Sequence, residues 1–295
     1  MEREIIRYPN IFGISFTQND IPSSFPSHWH NASEFIVVLK KHCKYIIDGT
    51  LYEPDEGDII LIWPRELHEV LHVPDGGVVL LQFSSYLIET NNDLAASSYF
   101  IQKCHIIKKS ETPELAEKIT EIIFKIRDIK NKNQYFIQTR TKLLVYESLL
   151  LIGDYVMNEY QESMGDGNFS YKMWNYIRYA CCYIAEHSAE NITQAEVAEK
   201  MGLSQYYFSK LFNEYTKRSF PAYLAGIRVQ NAINLLADEK LSITDCAFES
   251  GFQSTTTFNK VFHEFIGCSP RDYRKLHSWN RQEQMEESQH KKRQK

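Results

Sequence analysis

Two sets of side chains in this 295-residue chain have the types and spacing to do chemistry. The first is in HWHNASE, residues 28–34, which carries His28, His30 and Glu34, and in WPRELH, residues 63–68, which ends on His68. Along an extended strand, side chains of equal parity face one side, so His28, His30 and Glu34 are expected together, with His68 added from a later strand. Imidazoles and a carboxylate so grouped serve one of three purposes: hydrogen bonding to the polar groups of a small effector, ligation of a divalent transition metal, or internal structural hydrogen bonds. From the residues alone all three readings stay open. Trp63 offers either a flat ring for stacking on a sugar or a large apolar body for the interior.

The second set is a repeat. TQAEVAEKMGLSQYYFSKLFNEY, residues 193–215, aligns with SITDCAFESGFQSTTTFNKVFHEF, residues 242–265, with one residue inserted after the glycine. Thr193 matches Ser242, Glu196 matches Asp245, Ala198 matches Ala247, Gly202 matches Gly251 and Phe212 matches Phe262. A hydroxyl with an acid three residues later is capping-box spacing at a helix start. The small alanine lets a second helix cross closely, and the glycine four residues on suits a turn of positive φ. Each unit therefore reads as helix, turn, helix.

The second helix of each unit is amphipathic. In the first unit Tyr207, Phe208, Leu211, Phe212 and Tyr215 form the apolar stripe, leaving Gln205, Tyr206, Ser209, Lys210 and Asn213 outward. In the second, Phe258, Val261, Phe262 and Phe265 face inward, leaving Ser254, Thr255, Thr256, Asn259, Lys260 and His263 outward. Hydroxyls and amides on the leading edge of a helix suit base edges in a major groove and the flanking phosphates, and Lys210 and Lys260 occupy equivalent places for phosphate or guanine contact. A polar face is commonly just a wetted one, but an ordinary helical domain has no reason to write the same punctuation twice. The intervening SFPAYLAGIRVQNAINLLADEK, with Leu224, Ile227, Ala232, Leu235 and Leu236, is expected to pack both units rigidly. That would set two recognition helices in successive major-groove segments about 34 Å apart.

The rest of the chain must position these residues. Its hydrophobic content of 43% is ample for real cores, and its length favours two domains. Up to about residue 110, short β-branched and aromatic runs (EFIVVL, KYIID, GDIILIW, GGVVLLQF) alternate with turn material such as DGT, PDEG and PDGG, predicting a small barrel or sandwich. The period then changes. Thr112, Pro113 and Glu114 open an amphipathic helix, and a second is expected from about Gln134 to Tyr160, carrying Leu143, Leu144, Tyr146, Leu150, Leu151 and Tyr155. These helices either pair two protomers or pack on the barrel. QESMGDGNFS, residues 161–170, reads as a linker, after which the pattern is helical to about His277, ahead of a polar, charged tail.

Charge and cysteines narrow the function classes. Between Asp166 and His277 there are 12 Lys and Arg against 12 Asp and Glu, while the first 165 residues hold 16 against 23. Nucleic-acid binding is thus not advertised by bulk charge and must rest on local placement. Six scattered cysteines without C-x-x-C spacing read as reduced, mostly buried thiols. Neither a long apolar run nor a basic-then-apolar leader is present, so a cytoplasmic protein without a membrane segment is expected.

Residues 171–276 resemble the DNA-binding domain of AraC/XylS-type transcription regulators, on Ala247, Gly251, Phe252, Phe258, Phe262, Gly267, Ser269, Pro270, Tyr273 and Arg274, with Arg228 and Ala232 in the linking helix. The resemblance covers about a third of the chain and departs from the family pattern at Lys217, where glycine is common. It implies that the exposed residues of both recognition helices read double-stranded operator DNA near a promoter, usually to activate transcription with RNA polymerase. The set His28, His30, Glu34 and then His68 resembles that of a cupin barrel, which in enzymatic cupins holds a metal. Sensor barrels fused to such DNA-binding domains usually bind sugars or related metabolites instead. After the second strand, where that pattern often has glycine, this chain reads LKKHCK.

The resulting expectation is an α+β chain. It has a cupin-like effector-sensing β-barrel at 1–110, a helical dimerisation or linker region at 111–165, an all-α double helix-turn-helix domain at 166–277 and a polar tail at 278–295. No catalytic residue, cofactor or resident metal is assigned, and the partners expected are DNA, a small effector, RNA polymerase and a second copy of the chain. The competing expectation is a metal-dependent cupin enzyme with an appended helical domain.

Overall fold

The computed structural model describes residues 2–3, 13–19, 23–131, 135–164 and 167–275, so the expected tail lies outside the described residues. The chain divides into two compact units, Met1–Arg178 with Glu214–Lys217, and Tyr179–Asn213 with Arg218–Lys295. No helix among the described residues is long and apolar enough to cross a membrane.

The first unit holds β1 (Glu2–Arg3), β2 (Ile14–Gln18), β3 (Ser23–Trp29), β4 (Ala32–Val38), β5 (Lys44–Ile47), β6 (Thr50–Tyr52), β7 (Ile59–Ile62), β8 (His68–Val73), β9 (Val78–Ser84) and β10 (Ile106–Ile107). Its helices are α1 (Tyr86–Glu89), α2 (Asn92–Ile101), α3 (Pro113–Asn131) and α4 (Ile137–Met164). The strands form two five-stranded sheets, ordered β1-β3-β8-β5-β6 and β10-β7-β4-β9-β2.

β4 explains the layering. All seven of its residues are buried, as a strand covered on both faces requires. Phe35 and Val37 join Leu61, Leu81 and Phe83 on the face that packs against the helices through Ile119, Ile123, Val145 and Leu149. Ile36 and Val38 point the other way with Ile60 and Ile62, against Tyr45, Ile47 and Val73 of the first sheet. A slip of one residue would exchange the two faces, so register is strongly specified.

Two turns report on the sequence. Asp48 and Gly49, at φ 46° and 82°, make the two positive-φ positions of a tight hairpin between β5 and β6. In LKKHCK, where glycine would be at ease, His42 takes φ 74°. The expected linker at 161–170 is shorter than its composition suggests, because α4 runs to Met164 and α5 (Gly167–Glu186) begins three residues later. Gln161, Glu162 and Met164 are good helix formers, and glycine at a helix start escapes the penalty it carries in the interior. The second helix likewise starts at Ile137 rather than at Gln134, which lies outside the described residues.

The second unit continues with α6 (Gln194–Lys200), α7 (Gln205–Thr216), α8 (Phe220–Leu236), α9 (Ile243–Glu249) and α10 (Thr255–Ile266). Both expected capping boxes form: Glu196 N donates to Thr193 Oγ1 at 3.2 Å and Thr193 N to Glu196 Oε2 at 2.6 Å, with the same pair between Ser242 and Asp245 at 3.0 and 3.2 Å. Ala198 and Ala247 are buried, and Gly202 and Gly251 take φ 66° and 96°.

The repeat runs further than the aligned stretch, with each pair of positions 50 residues apart. Tyr223 lies edge-on to Phe212 at 5.3 Å and Tyr273 edge-on to Phe262 at 5.6 Å. After α7 the chain turns left-handed at Lys217, φ 55°, and after α10 at Gly267, φ 85°. The lysine therefore adopts the conformation that the family pattern gives to glycine, with a steric penalty of about 1 kcal/mol. All six cysteines are free thiols, three buried and three half-buried.

The two turn glycines differ in their surroundings. A Cβ on Gly251 would meet Ser188 O at 2.5 Å and Ala189 Cα at 2.8 Å, whereas one on Gly202 would meet nothing within 4 Å. Gly251→Ala is therefore expected to destabilise the C-terminal unit by about 3 kcal/mol or more, from strained φ plus overpacking, and Gly202→Ala by only about 1 kcal/mol. Urea unfolding of both variants followed by circular dichroism checks the difference; equal losses would contradict it.

Candidate nucleic-acid interface and the buried histidine cluster

The leading edges of α7 and α10 lie open to solvent. Gln205, Tyr206, Lys210 and Asn213 are exposed and Ser209 is half-buried; Thr256, Asn259, Lys260 and His263 are exposed, with Ser254 and Thr255 half-buried. Tyr206, 81% exposed, has the largest open ring of the first edge. Two assignments change. Tyr207, expected in the apolar stripe, is 41% exposed, because Phe208, Leu211, Phe212 and Tyr215 already fill the buried side. Ser254 serves the helix itself, accepting from Thr257 N at 3.2 Å and donating to Thr257 Oγ1 at 2.9 Å. Ser204 does the same for α7, accepting from Tyr207 N at 3.3 Å. The serine at the same offset before each helix signals this cap in the sequence, and Thr257, exposed beside it, joins the polar edge.

Electrostatics favour the N-terminal halves of these helices. Lys210 and Lys260 lie there, as does the positive end of each helix dipole, while Glu214 and Glu264 lie one turn beyond the lysines. His263, in the last turn of α10, is eight residues past Thr255, about 12 Å along the axis. Its place suits a phosphate better than a base edge.

Two arginines brace the unit. Arg228 donates from Nε to Ser188 O and from Nη2 to Glu190 O, both at 2.8 Å. Arg274 donates to Leu236 O at 3.2 Å and Leu241 O at 2.7 Å. Each closes carbonyls at or just beyond a helix end, where backbone acceptors otherwise lack partners.

In the N-terminal unit His28, His30, Glu34 and His68 converge, by a different route from the one parity suggested. His28 is the penultimate residue of β3 and pairs across the first sheet with His68 of β8. His30 lies in the short crossing between sheets, and Glu34 belongs to β4, opposite Gln82 of β9. The four residues thus come from both sheets and meet between them, because the chain changes sheet after Trp29. Ring centroids are 4.1 Å apart for His28 and His68, 4.8 Å for His30 and His68, and 5.6 Å for His28 and His30. All four residues are buried.

Hydrogen bonds order the cluster. Each imidazole sets Nδ1 against the main chain: 2.9 Å from Pro26 O for His28, 3.0 Å from Glu66 O for His68, and for His30 3.2 Å from Ala32 O and 3.3 Å from Ala32 N. His30 Nε2 is 2.9 Å from Glu34 Oε1, which also accepts from Gln82 Nε2 at 2.6 Å, and Ser15 Oγ donates to Gln82 Oε1 at 3.0 Å. Burial works to raise the Glu34 carboxyl, but the His30 hydrogen bond and charge, with Gln82 and His68, hold it below the ordinary carboxylate value. Burial pushes the His68 imidazole down to about 4. At neutral pH the cluster therefore contains an ionised carboxylate and a neutral His68. Its composition, imidazole nitrogen with one carboxylate, fits a divalent transition ion. Among the described residues no other three His, Cys, Asp or Glu donors converge in this way.

Trp63 is not part of the site. It is fully buried with Ile59 and Leu61 on the helix-facing side of the sheet, opposite Glu34, edge-on to Phe35 at 5.7 Å, and its Nε1 donates to Cys104 O at 2.8 Å. Odd and even positions of β7 and its extension face opposite layers, which removes this ring from any ligand between the sheets.

Residues 197–276 match the family described as a helix-turn-helix domain. The chain is similar to a helix-turn-helix-type transcriptional regulator of Staphylococcus aureus, 24% identical over 237 residues, 80% of this chain and 30% of that protein. It spans 30% of the length of the staphylococcal relatives it matches. It is also similar to the melibiose operon regulatory protein of Escherichia coli, 24% identical over 271 residues, 87% of this chain and 85% of that protein. Among solved structures, the C-terminal domain of AraT, a response regulator from Geobacillus stearothermophilus, is similar at 30% identity and TM-score 0.33, covering 34% of this chain and 84% of that one.

Replacing Trp63 by Phe removes the donor to Cys104 O and leaves a buried carbonyl unmatched, for an expected loss of about 1–3 kcal/mol in the N-terminal unit. Urea unfolding followed by near-ultraviolet circular dichroism measures it. Unchanged stability with weakened ligand binding would return Trp63 to the site.

Proposed function

We propose that this chain carries the tandem helix-turn-helix DNA-binding domain of the AraC/XylS-type transcription regulators and that it regulates transcription by binding a specific operator in response to a small molecule. The observation that carries the reading is the pair of equivalently capped helices α7 and α10, each turning a polar edge with one lysine to solvent. Gln205, Tyr206, Ser209, Lys210 and Asn213 of α7, and Thr255, Thr256, Asn259, Lys260 and His263 of α10, with Ser254 as the cap of that edge, contact the duplex. The N-terminal residues of each helix read base edges in successive major-groove segments, about 34 Å or one helical turn apart.

The N-terminal unit is the sensor in this reading. Its effector is a sugar or related metabolite, supported by the similarity to a protein named for the melibiose operon. His28, His30, Glu34 and His68 supply its polar recognition. Leu143 and Leu150, 63% and 55% exposed at seven-residue spacing on α4, support pairing of two protomers through that helix. Such a dimer would place two DNA-binding domains on paired half-sites in the cytoplasm, and activation proceeds through contact with RNA polymerase. Effector binding shifts the arrangement only by its differential affinity for two states. The competing reading, a metal-dependent cupin enzyme, draws on the histidine cluster alone; turnover of a substrate that is lost in His28→Ala would favour it.

Selection from random duplex oligonucleotides should return two short motifs spaced about 10–10.5 base pairs apart. Lys210→Ala and Lys260→Ala should each weaken operator binding and reduce the slope of log affinity against log salt by about one. Operator binding unchanged after replacing the outward residues of both helices would refute the assignment. Glu34→Ala should leave DNA affinity intact while blunting the effector response, measured by operator titration with and without effector.

A further inference from the structure

We propose that the edges of α7 and α10 read A·T base pairs, so that the operator consists of two non-identical, A·T-rich half-sites. This class of sequence rests on the operator reading above and deepens it. The two helices are each twelve residues long and follow the same serine, Ser204 and Ser254. Their outward positions therefore correspond one to one: Gln205 with Thr255, Tyr206 with Thr256, Ser209 with Asn259, Lys210 with Lys260 and Asn213 with His263. Of these five pairs only the lysines are identical. Phosphates are the same at every base pair and base edges are not, so the residue that recurs belongs to the sequence-independent contact and the residues that change belong to the readout. Of the two contacts open to Lys210 and Lys260, phosphate or guanine, this favours phosphate.

What remains for the bases is amides, hydroxyls and one ring. Gln205, at the first position of α7, and Asn259, at the fifth of α10, are exposed amides, the groups that pair bidentately with N6 and N7 of adenine. Thr256, exposed, offers a methyl group and Tyr206, 81% exposed, an apolar ring face; both suit the methyl of thymine. Ser209 and Thr255, half-buried, carry hydroxyls that accept either kind of pair. Guanine is read by arginine or lysine, and neither edge carries an arginine. The adenine reader stands four residues further along α10 than along α7, about 6 Å on the axis, so the two half-sites differ in where the adenine falls.

The full chain is used to select from random duplex oligonucleotides, and the bound pool is sequenced. Expected are two different motifs, each with A or T at most of its fixed positions. In the selected duplex, replacing thymine by uracil in the half-site of α10 removes the methyl group and should weaken binding several-fold for the wild-type chain but not for Thr256→Ser. Asn259→Ala should lose about 5–150-fold in affinity for the selected duplex and make one adenine of one half-site replaceable, with Asn259→Asp, of the same shape, doing likewise. Lys260→Ala should weaken binding to selected and scrambled duplexes alike. Motifs rich in G·C, two identical motifs, or a guanine preference that disappears in Lys210→Ala or Lys260→Ala overturn the proposal and leave the operator reading standing. A folded chain that enriches no sequence at all overturns both.

Discussion

The C-terminal unit depends on one close approach. The turn at Gly251 is pressed so tightly on the end of α5 and on α8 that a single added carbon would lie 2.5 Å from Ser188 O and 2.9 Å from Arg228 Nε. In that space the Arg228 guanidinium reaches two carbonyls beyond α5, and Asn231 Nδ2, one turn along α8, donates to Ser188 Oγ at 2.9 Å. The linking helix is thereby joined both to the segment that precedes α6 and to the turn between α9 and α10. Two helices proposed to read one duplex can act as a single probe only if the body between them is stiff. Here the stiffness comes from charge-assisted hydrogen bonds that need a glycine opposite them.

The two helix-turn-helix units apply one local code with unequal success. Caps, crossing alanines, turn glycines and Phe–Tyr ring pairs recur, yet the first unit ends its second helix with Lys217 where the second has Gly267. A left-handed lysine stores a small strain and a left-handed glycine does not. The first turn is also looser, with open space around Gly202. The duplicated pattern is thus held more tightly in its second copy, where the family resemblance is also densest.

In the N-terminal unit the polar cluster lies inside an otherwise apolar space between two sheets. Such a placement is tolerated only when every charge has partners, and the structure supplies them through Gln82, Ser15 and the backbone carbonyls beneath each imidazole. An ionised Glu34 beside a neutral His68 is what burial and a hydrogen-bonded carboxylate together produce.

What was legible from residues alone was whatever is encoded within a few positions. Capping boxes at Thr193 and Ser242, the turn material at Asp48–Gly49 and the positive φ of Gly202 and Gly251 are short-range consequences of side-chain size and hydrogen bonding. The same reasoning left Trp63 open between a stacking ring and an interior one, where strand parity puts it on the far layer, and it misplaced Tyr207, which lies at the rim of its stripe. It also drew too long a linker, since glycine and polar residues mark a helix end no better than a helix start. The histidines were chosen for their types, but only the tertiary structure brought them together, from two sheets joined by a crossing that strand parity does not describe. Local sequence determines conformation over one or two turns; which surfaces meet is decided by burying apolar area over the whole domain, and that sum cannot be read from any one stretch of chain.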